Sequence, residues 1–304
     1  VPNQHTHPRS IISFIRSRDG GTTWALEDKA QMGGGGGQEL SLIAFGGGHV
    51  GGALAWHEVV PAHEAGRTSI PRRSAREFPF RTPGAAWVWS DTYGYTWPPH
   101  QLVFFGPDSM PCGPVRLTSD GTLLCPAYGP IHGVRSSLLY RSPDRGHTWT
   151  DPMVMARGKA GGLQFAEPAV AETAPQTLRA LHRVQAEGTF WSNRSEDGGA
   201  TWSKPEDTRI LSGACPRLLS LSDGRLLLTF GRRRPPYGIR AMLSEDGGHT
   251  WGKTAWILHE PPNGNQGYTS SVELGGDRIL TVTYAENEEG TTGILGTTWT
   301  LPGT

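Results

Sequence analysis

Ser195-Glu-Asp-Gly-Gly-Ala-Thr-Trp202 decides how this chain is read, because the stretch recurs. Ser17–Trp24, Ser90–Trp97, Ser142–Trp149 and Ser244–Trp251 follow the same pattern, S-x-D-x-G-x-T-W. The second copy departs from it at Thr92, where Asp is expected. The Trp-to-Trp steps are 73, 52, 53 and 49 residues, and such near-regular self-similarity marks structural repeats. The chemistry of one copy is legible. The Asp carboxylate can accept hydrogen bonds from the backbone N–H groups of its own turn. Gly supplies a positive φ in that turn. Thr and Trp then open a strand, and the indole buries a large apolar area. Each box is therefore predicted to be a hairpin turn that clamps itself.

Between the boxes lies a second repeat. Thr118–Leu124, Leu221–Leu228 and Leu274–Leu280 carry Asp-Gly or Gly-rich hairpin turns, with weaker copies at Pro175–Thr177 and Phe45–Gly48. Each unit thus reads strand–turn–strand, strand–box–strand, a four-stranded antiparallel sheet. Repeats of this kind about 50 residues long read as propeller blades. Inner hairpins near 47, 121, 176, 224 and 276 give five blades. The first box implies a sixth, whose inner hairpin would fall before Val1. The expectation is all-β: one domain over residues 1–304, a six-bladed β-propeller of four-stranded antiparallel blades, its first blade incomplete at the N-terminus. Either a natural full-length chain begins some tens of residues earlier, or the ring is closed in an altered way. The last hairpin takes Gly293–Leu301 as a third strand, with no box after it. The long first step holds an insertion loop at about 61–83, made basic by Arg67, Arg72, Arg73, Arg76 and Arg81. Gly33–Gly37 reads as a flexible linker.

Composition removes several function classes. Lys and Arg number 28 and Asp and Glu number 28, so the basic surplus of a nonspecific nucleic-acid binder is missing. No apolar run reaches the ~18 residues of a membrane-spanning helix. Cys112, Cys125 and Cys215 have no metal-ligand spacing and read as buried free thiols. The histidines include no H-x-x-H or H-E-x-x-H, so neither a zinc site nor another metal is expected. Nothing points to a phosphate cradle, and no cofactor is expected. Asn193-Arg-Ser195 is a glycosylation sequon that overlaps a box turn and reads as coincidence. Oligomeric state is not readable.

The boxes resemble the Asp boxes, or BNR repeats, of sialidases and their relatives, and the resemblance runs over nearly the whole chain. It implies that the boxes sit on the outer rim, away from the active site. It also implies three arginines on a substrate carboxylate, a Tyr nucleophile helped by a Glu, and an acid/base. A carboxylate nucleophile would be repelled by an acidic sugar, and a phenol would not. Arginine suits the carboxylate because its planar fork bonds both oxygens.

Carried over residue by residue, Glu167 in Gln164-Phe-Ala-Glu-Pro168 matches the family's Glu, and Arg183, sixteen residues on, its second arginine. Tyr268 in Gln266-Gly-Tyr-Thr-Ser-Ser271 resembles the nucleophile, with Tyr284 as second choice. For the third arginine the stretch is Gly231-Arg-Arg-Arg-Pro-Pro-Tyr-Gly-Ile-Arg240. Because strand side chains alternate, Arg232 and Arg234 would share a face; Arg234 is the first candidate and Arg240 a second inward group. The family's first arginine motif is absent. The window expected to hold the Asp acid/base reads Asn3-Gln-His-Thr-His-Pro-Arg-Ser10. There His5 or His7 takes the acid/base place, and Arg9 becomes a substitute carboxylate binder.

The resemblance thus implies an exo-acting glycoside hydrolase that removes a terminal acidic sugar, sialic acid or a relative, from a glycan. Two alternatives stay open: a lyase on uronic-acid glycans using the His/Tyr pair, and a carbohydrate-binding propeller without catalysis. The substrate class favours a secreted or periplasmic location.

Overall fold

The computed structural model describes residues 11–27, 38–61, 63, 80–98, 102–184, 186–211, 213–253 and 255–301. The first box closes a small hairpin of β1 (Ile15–Arg16) and β2 (Ala25–Leu26). Five blades follow. Blade one is β3 (Gln38–Gly46), β4 (His49–Val59), β5 (Phe80–Ser90) and β6 (Leu102–Phe105). In blade two the inner strand is broken into β7 (Met110–Pro111) and β8 (Arg116–Leu117), and both pair with β9 (Leu123–Ile131). β10 (Val134–Ser142) and β11 (Met153–Ala156) complete it. Blade three is β12 (Ala166–Ala174), β13 (Thr177–Val184), β14 (Thr189–Ser195) and β15 (Glu206–Leu211). Blade four is β16 (Arg217–Ser220), β17 (Leu226–Arg232), β18 (Gly238–Ser244) and β19 (Trp256–His259). Blade five has three strands: β20 (Gln266–Glu273), β21 (Arg278–Glu286) and β22 (Thr292–Thr300).

The molecule is therefore an all-β propeller of five blades, not the expected six. The first box finds its two outer strands, β1 and β2, but no inner pair joins them among the described residues. The hairpin instead lies between the ends of the ring. Gly21 rests against the Leu280 side chain of blade five. Phe14 stacks on Trp97 of blade one at 5.2 Å between ring centroids, and Arg16 Nη2 donates to the Tyr93 carbonyl at 2.7 Å.

The boxes fold as their chemistry requires. In Ser195–Trp202 the Ser195 hydroxyl donates to Asp197 Oδ1 at 2.7 Å and accepts from the Gly199 N–H at 2.8 Å. The Asp197 carboxylate accepts from the Thr201 N–H at 2.9 Å and the Thr201 hydroxyl at 2.5 Å. The Trp202 indole N–H donates to the Gly199 carbonyl at 3.0 Å. In the degenerate copy the Thr92 hydroxyl replaces the carboxylate, accepting from the Thr96 N–H at 3.0 Å. Asn193 is buried, and its amide donates to Met155 O and Ser203 O at 2.7 and 3.0 Å. That agrees with a coincidental sequon.

Blades pack face to face. The middle strands β10, β17 and β18 are buried along almost their whole length, while outer β15 alternates or is exposed. That is what strands sandwiched between two sheets require. Box tryptophans fill the seams against the preceding blade: Trp149 stacks on Phe105 at 4.3 Å, Trp202 packs on Leu124 and Leu139, and Trp251 packs with Ala171 and Leu181.

Candidate functional site

The start of the inner strand at the propeller axis is irregular in three blades. Register shifts fall between Gln38 and Ser41, Ala166 and Ala169, and Gly267 and Ser270. The residue inside each bulge has a positive φ: Glu39 at 58°, Glu167 at 46° and Tyr268 at 55°. A bulge re-aims a side chain. Non-glycine residues in the left-handed region cost about 1–3 kcal/mol each and cluster at functional sites. Cys112 and Cys215 take the corresponding place in the other two blades, Cys112 in the break between β7 and β8 and Cys215 just before β16. The two segments Ala166-Glu-Pro168 and Ala214-Cys-Pro216 show the correspondence in sequence.

Four of these residues, Tyr268, Glu167, Cys215 and Cys112, join Arg183 in one cluster. Tyr268 Oη donates to Glu167 Oε1 at 2.9 Å. Glu167 Oε2 accepts from Arg183 Nη1 at 2.5 Å and from the Cys215 thiol at 2.9 Å. The Cys215 and Cys112 sulfurs lie 3.6 Å apart. Two further arginines flank the phenol: Arg233 Cζ is 5.3 Å and Arg217 Cζ 5.7 Å from the Tyr268 ring centroid, the geometry of cation–π contacts. Arg233 is held by the Gln266 carbonyl at 2.8 Å and by the Tyr284 hydroxyl. Glu167 and Arg183 open onto a cavity of about 370 Å³, also lined by Tyr128, Arg135 and Gln164. A larger cavity of about 570 Å³ lies at the outer rim, lined by Arg179, Arg194 and the Gly248–Trp251 box. It contains none of the cluster, so size alone misplaces the chemistry.

Electrostatics sets the resting protonation states. Burial works to raise the Glu167 pKa, but Arg183 and the Cys215 and Tyr268 donors outweigh it, so the carboxyl is held below its ordinary value as an anion. Burial, then the negative charges nearby, push the Tyr268 phenol well above its usual value. The resting pair is thus a neutral phenol donating to a carboxylate. This can act as a nucleophile with its base, provided a cationic environment offsets the phenolate.

The sequence candidates divide as follows. Tyr268, Glu167 and Arg183 come together, with Tyr284 beside them at 6.0 Å between rings. Arg234 does not join them: it is exposed, with its guanidinium against Gly188. Arg233 takes the place expected of it. β17 ends at Arg232, so the alternation argument no longer governs the residue after it. Arg240 is buried under the preceding turn, donating to Tyr237 O at 3.1 Å, away from the cluster. His5, His7, Arg9, the five-glycine run and most of the 61–83 insertion lie outside the described residues. Arg217, Cys112 and Cys215 were not anticipated. The Ala-x-Pro match between 166–168 and 214–216 was the available signal. Among the described residues no cluster of His, Cys, Asp and Glu is arranged to hold a metal, and no helix is long and apolar enough to cross a membrane.

A propeller stapled by recurring S-x-D-x-G-x-T-W turns defines a BNR-repeat class of protein. The sequence matches the family described as BNR repeat-like domain over residues 76–279, and the chain belongs to that family. Solved structures share the fold. A Dyadobacter fermentans protein of unknown function superposes with a TM-score of 0.83 at 22% identity, over 98% of this chain and 86% of its own. The Hadza microbial sialidase Hz136 gives 0.70 at 20% identity, over 95% of this chain and 59% of its own. The intramolecular trans-sialidase of Ruminococcus gnavus gives 0.67 at 16% identity, over 95% and 87%. No curated protein matches the sequence.

Proposed function

We propose that the protein is an exo-acting, sialidase-like glycoside hydrolase that removes a terminal acidic sugar from a glycan. The observation that carries this reading is the 2.9 Å hydrogen bond from Tyr268 to Glu167 inside a set of three arginines. Arg183, Arg217 and Arg233 supply the positive field for the sugar carboxylate, in place of the Arg234 and Arg240 suggested by the sequence. Tyr268 passes its proton to Glu167 as its oxygen attacks the anomeric carbon, while His5 or His7 protonates the leaving oxygen. Water, deprotonated by the same histidine, then releases the sugar, and Glu167 returns the proton to Tyr268. The carboxylate drawn to the arginines is what makes a neutral phenol a better nucleophile here than a second carboxylate. The phenolate that develops is stabilised by Arg217 and Arg233 over its ring.

The test is an assay on 4-methylumbelliferyl sialic acid and related glycosides of acidic sugars, beside uronate polymers. Fluorophore release that falls by about 10³-fold or more in Tyr268→Phe, with an unchanged melting temperature, is the expected result. Full activity in Tyr268→Phe would overturn the nucleophile assignment. Absorbance rising near 235 nm on the polymers would replace the hydrolase with a lyase. Glycan binding without turnover in the parent protein would make it a binding propeller.

A further inference from the structure

Two nucleophilic groups at the axis have no part in that chemistry. Cys112 comes from blade two and Cys215 from blade four, 103 residues apart in sequence. Both are buried, and their sulfurs are in van der Waals contact at 3.6 Å. A disulfide needs about 2.05 Å, so closure asks for an approach of roughly 1.5 Å. The third cysteine, Cys125, is packed in the seam between blades one and two, among Trp87, Phe105 and Tyr140.

We infer that Cys112 and Cys215 are a redox-active pair, a modification site that an oxidant of the peroxide or small-disulfide class closes into a disulfide across the propeller axis. With peroxide, one sulfur attacks the O–O bond, becoming a sulfenic acid as the first water leaves. The second sulfur displaces that oxygen as a second water and the S–S bond forms. Two thiols and one peroxide thus give one disulfide and two waters. With a small disulfide, two successive exchanges release two small thiols.

The surroundings set the pace and the consequence. Its thiol partner and burial push Cys112 well above its ordinary pKa, and burial raises that of Cys215. Arg217 opposes this, with Nη2 4.0 Å from the Cys112 sulfur. The pair is therefore a slow responder at neutral pH, and it closes faster as pH rises and thiolate forms. Closure also removes a hydrogen. The Cys215 thiol donates to Glu167 Oε2 at 2.9 Å, and a disulfide has no S–H. Oxidised protein leaves Glu167 with two donors, Arg183 and Tyr268, and a stronger affinity for protons. On the hydrolase reading above, the acid limb of the pH–rate profile then moves to higher pH.

The experiment counts thiols in the full chain. Fully reduced protein is freed of reductant, exposed in its native state to hydrogen peroxide or oxidised glutathione, then denatured, alkylated and weighed. Reduced protein takes three labels, one for each cysteine. Oxidised protein is expected to take a single label, on Cys125, with a linked Cys112–Cys215 peptide, and dithiothreitol restores the other two. Cys112→Ser and Cys215→Ser should each form no intramolecular link after the same exposure, the lone axial thiol going no further than a sulfenic acid or a mixed disulfide, and closure in the parent should quicken between about pH 7 and pH 9. Three labels after exposure, or a link that includes Cys125 or a second molecule, would overturn the inference. If a serine variant does not fold, the parent's label count and peptide map decide. The count needs no substrate, so an inactive protein leaves it standing, and a negative count leaves the hydrolase reading standing.

Discussion

Arg233 and Arg234 differ by one position and by their whole environment. Arg233 is tied to the Gln266 carbonyl at 2.8 Å and to Tyr284, with its cation 5.3 Å from the Tyr268 ring. Arg234 projects to the surface beside Gly188. A charge-assisted hydrogen bond to a carboxylate contributes about 1.5–3 kcal/mol, which corresponds to roughly 10–150-fold in affinity. Arg233→Ala should therefore weaken acidic-sugar binding by that order, while Arg234→Ala changes it less than about twofold. Titration of both variants with the free acidic sugar, followed by calorimetry, checks the pair; equal losses would place the clamp elsewhere. Arg217 belongs with Arg233 by position, yet its lone arginine in a Cys-Pro-Arg segment looks like any strand start. The family resemblance pointed to Glu167, Arg183 and Tyr268, which the fold brings together. It missed the residues whose role depends on where a strand ends or on which blade faces which.

At the scale of the element the sequence was more informative. The box is a local object: its Ser, Asp, Gly, Thr and Trp bond one another within eight residues, so a linear pattern contains all of its physics. The box carboxylates show it. Hydrogen bonds from the box Thr and Ser hold Asp197 at a pKa of about 2, and Asp19 likewise, both on fully exposed turns. Strand β13 carries a less visible device. His182 is completely buried, and its Nε2–H donates to Asn193 Oδ1 at 2.8 Å. Burial pulls its pKa down to about 4 against the opposing Asn193 bond. The unfolded chain, near the ordinary value of about 6.5, then binds the extra proton first. This site's stability is thus complete above about pH 6.5 and is lost as pH falls toward 4. The loss between pH 7 and pH 4 is about 3 kcal/mol. Urea unfolding at both pH values should show this loss in the parent and a much smaller one in His182→Gln, which cannot titrate. Parallel losses in the two proteins would assign the acid sensitivity elsewhere.

The whole molecule is where sequence and structure parted. Adding the first box to the five inner hairpins gave six, because a box marks only the outer turn of a blade. A blade exists when four strands, or three, share hydrogen bonds, and the first box is flanked by two strands of two residues each. What binds blade to blade is not a pattern in the chain but a fit between distant surfaces. Trp87 is the sharpest case. It is fully buried in the seam of blades one and two, edge-on to Trp149 at 5.4 Å and to Phe45 at 6.5 Å. Room for its indole is made by glycines: a Cβ on Gly51 would lie 2.1 Å from Trp87 Cζ2, and one on Gly146 would lie 2.0 Å from Nε1. Gly146 also has a φ of 94°, so substitution there adds backbone strain, whereas at Gly51 steric overlap is the direct penalty. Overpacking of this kind costs about 1–3 kcal/mol. Gly51→Ala should therefore destabilise the propeller by that amount in denaturant unfolding. Trp87→Phe, which shortens the ring and opens a cavity, should destabilise it too. In the double variant the methyl fills part of the space that the smaller ring vacates. The two changes should then cost less together than their sum, with a coupling of about 1 kcal/mol. Strict additivity would mean that the two residues do not share the seam. The axial cluster gives a second readout of the same cycle. Glu39 and Cys112 reach the axis from the two blades this seam joins, so Gly51→Ala should raise the accessibility of the Cys112 thiol to alkylation in the native state, and the double variant should lower it again.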